Sequence, residues 1–124
     1  MDKTLILYVE DDPAALEMMK IGLEERGYGV LQAANGIEAL AVLKSKSPDL
    51  ILVDLRMQPM NGFELFQEIK KNPRLVKTPV FFLTAVDDPL AKKYGESLGV
   101  DAYITKPFDI DHLDNIIRGK LGIK

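Results

Sequence analysis

The chain of 124 residues contains no cysteine and a single histidine, His112. The first absence excludes disulfides, thiolate metal sites and cysteine nucleophiles. The second leaves His112 without companions for a metal site or a proton relay. Its place near the start of a capped helix reads as solvated or partly packed. No apolar run approaches the roughly 20 residues that a membrane-spanning helix needs. Met1-Asp2-Lys3-Thr4 leads into a strand-like segment without a signal peptide's basic start and apolar stretch. Positive charge is scarce and scattered: 16 Lys and Arg face 19 Asp and Glu, for a net charge of −3. Neither nucleic acid nor an anionic membrane is therefore expected as a direct partner. The expectation is a soluble, cytoplasmic protein. No motif occurs twice, which excludes a repeat architecture, and no linker is visible. Residues 1–124 read as one domain, whose 47% hydrophobic content can bury a single core.

What is present is an alternation of short apolar runs and helical patterns. Thr4 to Val9 reads as a strand, followed by Glu10, Asp11 and Asp12, with Asp12 capping a helix and Pro13 at its first position. Leu16, Met19 and Leu23 recur at helical spacing up to Gly27. Tyr28 to Ala33 reads as a second strand. Asn35 then caps a helix, with Glu38 completing a capping-box variant and Ile37, Leu40 and Leu43 facing inward. The four aliphatic residues Leu50 to Val53 suit a strand buried on both faces, so Asp54 emerges at its carboxyl end. A loop through Pro59, Asn61 and Gly62 precedes a helix from Phe63 to Lys71, with Phe66 and Ile69 available to the core and Asn72-Pro73 as its stop. Pro79 to Leu83 is the fourth strand, ending in Thr84-Ala85. Asp88-Pro89 opens a helix through Tyr94 and Leu98 to Gly99. Asp101 to Thr105 is the fifth strand, ending at Lys106-Pro107. Asp109 caps a last helix carrying Ile110, Leu113, Ile117 and Leu121. Five strands alternating with five helices predict an α/β fold, a doubly wound parallel sheet with helices on both faces.

In such a sheet the carboxyl ends of all strands lie along one edge, where ligands bind. Glu10 and Asp11, Asp54, Thr84 and Lys106 each follow a different strand, so they are expected to meet there. Like charges about 4 Å apart repel by about 4 kcal/mol at an effective dielectric of about 20, and Lys106 supplies one positive charge against three carboxylates. Either a carboxyl stays protonated or a divalent cation sits among them. An all-oxygen donor set favours a hard ion, Mg²⁺ over Ca²⁺. A carboxylate nucleophile, a cation, the Thr84 hydroxyl and the Lys106 ammonium together describe phosphoryl transfer to Asp.

The pattern resembles the response regulator receiver domain of bacterial two-component systems, of the chemotaxis-regulator kind. The resemblance rests on Val9-Glu10-Asp11-Asp12-Pro13, on Asp54-Leu55 with Met57, on Met60-Asn61-Gly62, on Leu83-Thr84-Ala85 and on Tyr103-Ile104-Thr105-Lys106-Pro107-Phe108, and it covers essentially the whole chain. It implies a flavodoxin-like strand order of 2-1-3-4-5. It implies that Asp54 accepts a phosphoryl group from a phosphohistidine on a histidine kinase or phosphotransfer protein. It further implies that Asp11, Asp54 and the backbone carbonyl of Arg56 bind Mg²⁺, with Glu10 assisting directly or through water. Thr84, Lys106 and the backbone N–H of Ala85 would hold phosphoryl oxygens, Lys106-Pro107 would be a cis peptide, and Tyr103 would swing inward when Thr84 moves. The readout would be the face of the fourth helix, fifth strand and fifth helix, toward an effector or a second copy. Such a protein is a signalling phosphoacceptor with self-phosphorylation and slow autodephosphorylation, not a metabolic enzyme.

By spacing alone, Tyr103 is a half-buried strand aromatic, Met18, Met19, Met57 and Met60 are core or loop filling, and adjacent Phe81 and Phe82 face opposite sides of the sheet. A receiver working only through constitutive contacts is disfavoured by the intact acid, threonine and lysine set. A phosphatase with an Asp nucleophile would want a second Asp where Arg56 stands, and no loop offers the donors of a flavin phosphate cradle. Two departures from the family pattern stand out. Met57-Gln58 replaces the common Met-Pro, with the proline displaced to Pro59, so this loop is expected to take its own path. Arg56 and Val86, two residues past Asp54 and Thr84, lack an amide or carboxylate to orient water, which predicts slow loss of the phosphoryl group.

Overall fold

The computed structural model describes residues 3–85 and 89–123. The elements run β1 (Leu5–Val9), α1 (Pro13–Glu25), β2 (Gly29–Ala33), α2 (Gly36–Leu43), β3 (Leu50–Asp54), α3 (Gly62–Lys70), β4 (Val80–Thr84), α4 (Pro89–Ser97), β5 (Ala102–Thr105) and α5 (Ile110–Leu121). The strands form one sheet in the order β2-β1-β3-β4-β5, and every pairing is parallel. The expected doubly wound architecture and strand order are both present.

Side chains alternate across the sheet with the period of two that a strand imposes. Ile51, Val53 and Phe82 join Ala39 and Leu43 of α2 and Leu65, Phe66 and Ile69 of α3 in one core. Leu50, Leu52 and Phe81 join Met19 and Leu23 of α1 and Leu113 and Ile117 of α5 in the other. Phe81 and Phe82 thus do face opposite layers. β3 and β4 are buried along their whole lengths, as central strands covered on both faces must be.

Short polar side chains start the helices. Asp12 accepts from the Ala14 N–H and precedes Pro13 at the first helical position, and Asp109 caps α5 in the same way. Asn35 accepts from the Glu38 N–H, while Glu38 turns back to the Ala34 N–H. Asn61 and Glu64 form a reciprocal capping box. Gly27 closes α1 at φ 94°, a left-handed conformation in which a Cβ would be strained. The cap expected from Asp88 lies outside the described residues.

Three expectations are corrected. Ile37 is 58% exposed; Leu43 is buried and Leu40 packs against the core as expected, while Gly36 and Ala39 take the inward place given to Ile37. Met18 is 73% exposed while Met19 is buried, because consecutive helical positions point about 100° apart. Tyr28 precedes β2 rather than belonging to it, yet it is buried and its phenol donates to Asp114 at 2.5 Å. His112 is exposed, as expected. Among the described residues no helix is long and apolar enough to cross a membrane.

Candidate functional site

The parallel register sets the strand ends side by side: Val9 pairs with Val53, Asp54 with Leu83 and Thr84 with Thr105. Glu10 follows β1, Asp54 ends β3, Thr84 ends β4 and Lys106 follows β5. Residues almost a hundred positions apart therefore share one edge. The Lys106 N–H donates to the Thr84 carbonyl at 2.7 Å, which continues the β4–β5 pairing by one residue and aims the lysine along the edge. Lys106-Pro107 is a cis peptide, as expected, and Gln58-Pro59 is a second one that the sequence did not announce.

Lys106 holds two carboxylates together. Its Nζ lies 2.8 Å from Glu10 Oε1 and 2.9 Å from Asp54 Oδ2. Glu10 is 3% exposed and Asp54 6%, so both charges sit where water cannot screen them and a partner is obligatory. The remaining oxygens are also satisfied: Asp54 Oδ1 accepts the Arg56 N–H at 2.8 Å, and Glu10 Oε2 accepts the Asp12 N–H at 3.3 Å. Tyr8, fully buried on β1, donates its phenol to Glu10 Oε1 at 3.1 Å. Among the described residues no buried side-chain nitrogen or oxygen lacks a partner.

Burial, and then a hydrogen bond shared with Glu10, push the Asp54 carboxyl above its usual range, against the pull of Lys106 and the Arg56 N–H. Burial also opposes the Glu10 charge, but its bonds with Asp54 and Lys106 outweigh that and hold Glu10 below the usual range. Of the two carboxyls, Asp54 is therefore the one that takes up a proton first as pH falls. Asp11 stands exposed beside Glu10, and partial desolvation followed by the bond and repulsion of Glu10 raises it. Burial lowers Lys106, yet the two carboxylates raise it further, so it stays an ammonium. Burial drives the Tyr8 phenol far up, reinforced by the Glu10 charge, so it remains a donor.

The expected set is thus largely brought together. Asp54, Glu10 and Lys106 are in direct contact, Asp11 interacts with Glu10, and Thr84 is buried at the neighbouring strand end. Ala85 is exposed at the edge just after it. The donor set for a cation is oxygen only, which fits a hard ion. Among the described residues, however, no three Asp, Glu or His side chains converge as a closed cage; the ammonium bridges two of the acids instead. Tyr103 is set back from this cluster. Its ring packs edge-on to Phe82 at 6.4 Å, half-buried against the core. Sequence reasoning missed Tyr8. The signal was available, because residues two apart on a strand share a face and Tyr8 stands two before Glu10.

Comparison with known proteins agrees with this geometry. The family model described as response regulator receiver domain matches residues 6–118. The chain is 38% identical over 116 residues to the DNA-binding dual master transcriptional regulator RpaA of Synechocystis, covering 94% of this chain and 48% of that protein. The chain thus spans about half the length of the curated relatives first matched. A receiver domain of a signal transduction histidine kinase from Syntrophus aciditrophicus superposes with a TM-score of 0.89 at 37% identity, covering 96% of this chain and 90% of that one. The receiver domain of sensor histidine kinase PA1611 from Pseudomonas aeruginosa has a magnesium ion coordinated in its active site cleft. It superposes with a TM-score of 0.89 at 28% identity, covering 98% and 99%. With its fold, its strand-edge residues and these relatives in agreement, the chain belongs to the response regulator receiver domain family of two-component signal transduction.

Proposed function

We propose that Asp54 is a phosphoacceptor, and that the chain acts as a phosphorylation-driven switch. The observation that carries this reading is the Lys106 ammonium held between the buried carboxylates of Glu10 and Asp54. It supports the reading because a carboxylate oxygen and an ammonium stand together at the strand edge where ligands of such sheets bind. An Asp54 oxygen attacks the phosphorus of a phosphohistidine. The phosphorus–nitrogen bond breaks, a phosphorus–oxygen bond forms, and the imidazole leaves with the electron pair and is protonated. Catalysis is then mostly positioning and charge neutralisation. Lys106 swings its charge onto a phosphoryl oxygen, with the Thr84 hydroxyl and the Ala85 N–H taking the others. Asp11, Asp54 and the Arg56 carbonyl would hold Mg²⁺, with Glu10 directly or through water. When bound, the ion would neutralise the carboxylates and the charge that develops on the phosphoryl oxygens.

Movement of Thr84 toward the phosphoryl group opens space behind it, and Tyr103 turns inward to fill it. That biases an existing equilibrium of the α4–β5–α5 face rather than creating a new state. The donor is a histidine kinase or phosphotransfer protein. The face answers to a downstream effector or to a second copy of the chain. The whole of residues 1–124 serves as one receiver.

The test is intact-mass spectrometry after incubation with acetyl phosphate and Mg²⁺, with an Asp54→Ala variant in parallel. One phosphate should add to the parent and none to the variant, and chelating the cation should abolish the adduct. Labelling of both proteins alike would refute Asp54 as the acceptor.

A further inference from the structure

Glu10 is the acid in this cluster whose carboxylate meets the most donors. Oε1 accepts from both Lys106 Nζ and the Tyr8 phenol, and Oε2 accepts from the Asp12 N–H. These donors are not equivalent. The lysine also serves Asp54, and its long flexible stem lets the ammonium follow charge. The Asp12 bond, at 3.3 Å, is the longest of the three. Of the two side chains that donate to Oε1, Tyr8 is the rigidly mounted one. It sits within β1, paired on one side with Gln32 and on the other with Leu52. Its ring is 1% exposed and packed in the layer of α1 and α5 with Met19 and Phe81. A phenol on such a base has two torsions and little room to use them.

The unequal mounting matters in the reaction. When a phosphoryl group arrives on Asp54, new oxyanions compete for the lysine, and Glu10 loses its strongest partner at the moment the cation must be held. A nearly buried carboxylate that lost its donor would be free to rotate away from the cation. We infer that Tyr8 is a positioning residue for the cation site: its phenol fixes Glu10 Oε1, keeping this carboxylate aimed while Lys106 moves away. Tyr8 lies outside the acid, threonine and lysine set and touches neither phosphate nor cation; it acts through Glu10. This inference rests on the cation-dependent phosphoacceptor reading above.

The experiment is a calorimetric titration of Mg²⁺ into the parent, Tyr8→Phe, Glu10→Gln and the double variant, with thermal melts run alongside. Removing a partner behind a metal-binding group weakens affinity by about tenfold or more, and Tyr8→Phe should raise the Mg²⁺ Kd by about that factor. The ring survives in Phe, so a cooperative melt is expected. Because Tyr8 acts through Glu10, adding Tyr8→Phe to Glu10→Gln should change the Kd by less than about twofold, the mark of two groups working as one. Acetyl phosphate labelling should need more Mg²⁺ for half-maximal rate in Tyr8→Phe, while the rate at saturating Mg²⁺ stays near the parent's. An unchanged Kd in Tyr8→Phe, an equal loss in both backgrounds, or a Tyr8→Phe protein that fails to fold would overturn the assignment. Each would leave the acceptor reading standing. A parent that binds no Mg²⁺ would overturn both.

Discussion

Lys106 Nζ lies 2.9 Å from Asp54 Oδ2, a contact that spans 52 positions of the chain. Neither residue would be stable there alone, since each puts a charge into a site with little water. Replacing Lys106 by Met removes the shared cation from two carboxylates and leaves like charges facing each other. Breaking a buried pair from one side costs about 3–5 kcal/mol. Uptake of a proton by Asp54 limits the loss here, so Lys106→Met should cost about 2–3 kcal/mol at neutral pH. Urea unfolding in the absence of divalent cations measures it. The deficit should shrink as pH falls and protonation of Asp54 replaces the missing ammonium.

The second prediction follows from the sign of the Asp54 shift. Its folded carboxyl titrates above the ordinary value of 3.8. Between those two values the folded state holds more protons than the unfolded chain, so stability falls as pH rises through that window. At neutral pH the ionised Asp54 is therefore a net burden on the cation-free fold. Asp54→Asn keeps the shape and discards the charge. Its cation-free melting temperature at neutral pH should rise by about 4 °C for each kcal/mol relieved, and above the ordinary carboxylate value of 3.8 its stability should depend less on pH than the parent's. A lower melting temperature than the parent would contradict the electrostatic account.

The sheet was legible because β-strand apolar runs and helix caps are local signals. Leu50 to Val53 announces a two-sided strand, and Asp12-Pro13 announces a helix start, without knowledge of anything distant. The convergence of Glu10, Asp54 and Lys106 was legible only through topology: once the strands are parallel, their ends must share an edge. What stayed hidden depends on rotation and packing. Ile37 and Ala39 both fit an inward stripe by period, and only the fit of α2 against Met60 and the core chooses Ala39. Likewise Asn61 reads as a loop residue, although with Glu64 it makes the capping box that fixes where α3 begins. The i, i+2 spacing of Tyr8 and Glu10 puts both on one strand face, but the contact itself is identified only once the carboxylate of Glu10 is placed.

Gly62 supplies a third test, linking the loop to the acceptor. A Cβ built there would lie 2.9 Å from Leu55 Cα and 3.0 Å from the Asp54 carbonyl oxygen, both backbone atoms that cannot step aside. The Gly62 N–H also donates to the Leu55 carbonyl at 3.1 Å, so the first turn of α3 is clamped onto the residue after the acceptor. In an open helix Gly→Ala would gain up to about 1 kcal/mol. Here overpacking, worth about 1–3 kcal/mol, should win. Gly62→Ala should unfold at lower denaturant than the parent and accept phosphate more slowly, whereas Gly119→Ala, which meets open space in α5, should do neither. Equal stability of the two variants would show that the loop yields.

The last prediction concerns the lifetime of the aspartyl phosphate. Hydrolysis needs a water placed in line with the phosphorus–oxygen bond, and an amide or carboxylate near the site can hold one. Arg56 follows Asp54 by two residues; its backbone N–H is committed to Asp54 Oδ1 while its side chain is exposed. A guanidinium has five donors and no acceptor, so it can pair with phosphoryl oxygens but cannot accept a proton from an attacking water. It should shield the phosphoryl group rather than activate its attacker. Val86, which lies outside the described residues, adds an apolar side chain two positions past Thr84. Arg56→Asn and Val86→Glu should therefore each lose phosphate several-fold faster than the parent, and since the Arg56 side chain is exposed, Arg56→Asn should leave the fold intact. Decay of the adduct, followed by mass spectrometry after removal of acetyl phosphate, gives the rates. Unchanged or slower decay in both variants would mean that water is oriented by other groups and that these two positions do not set the lifetime.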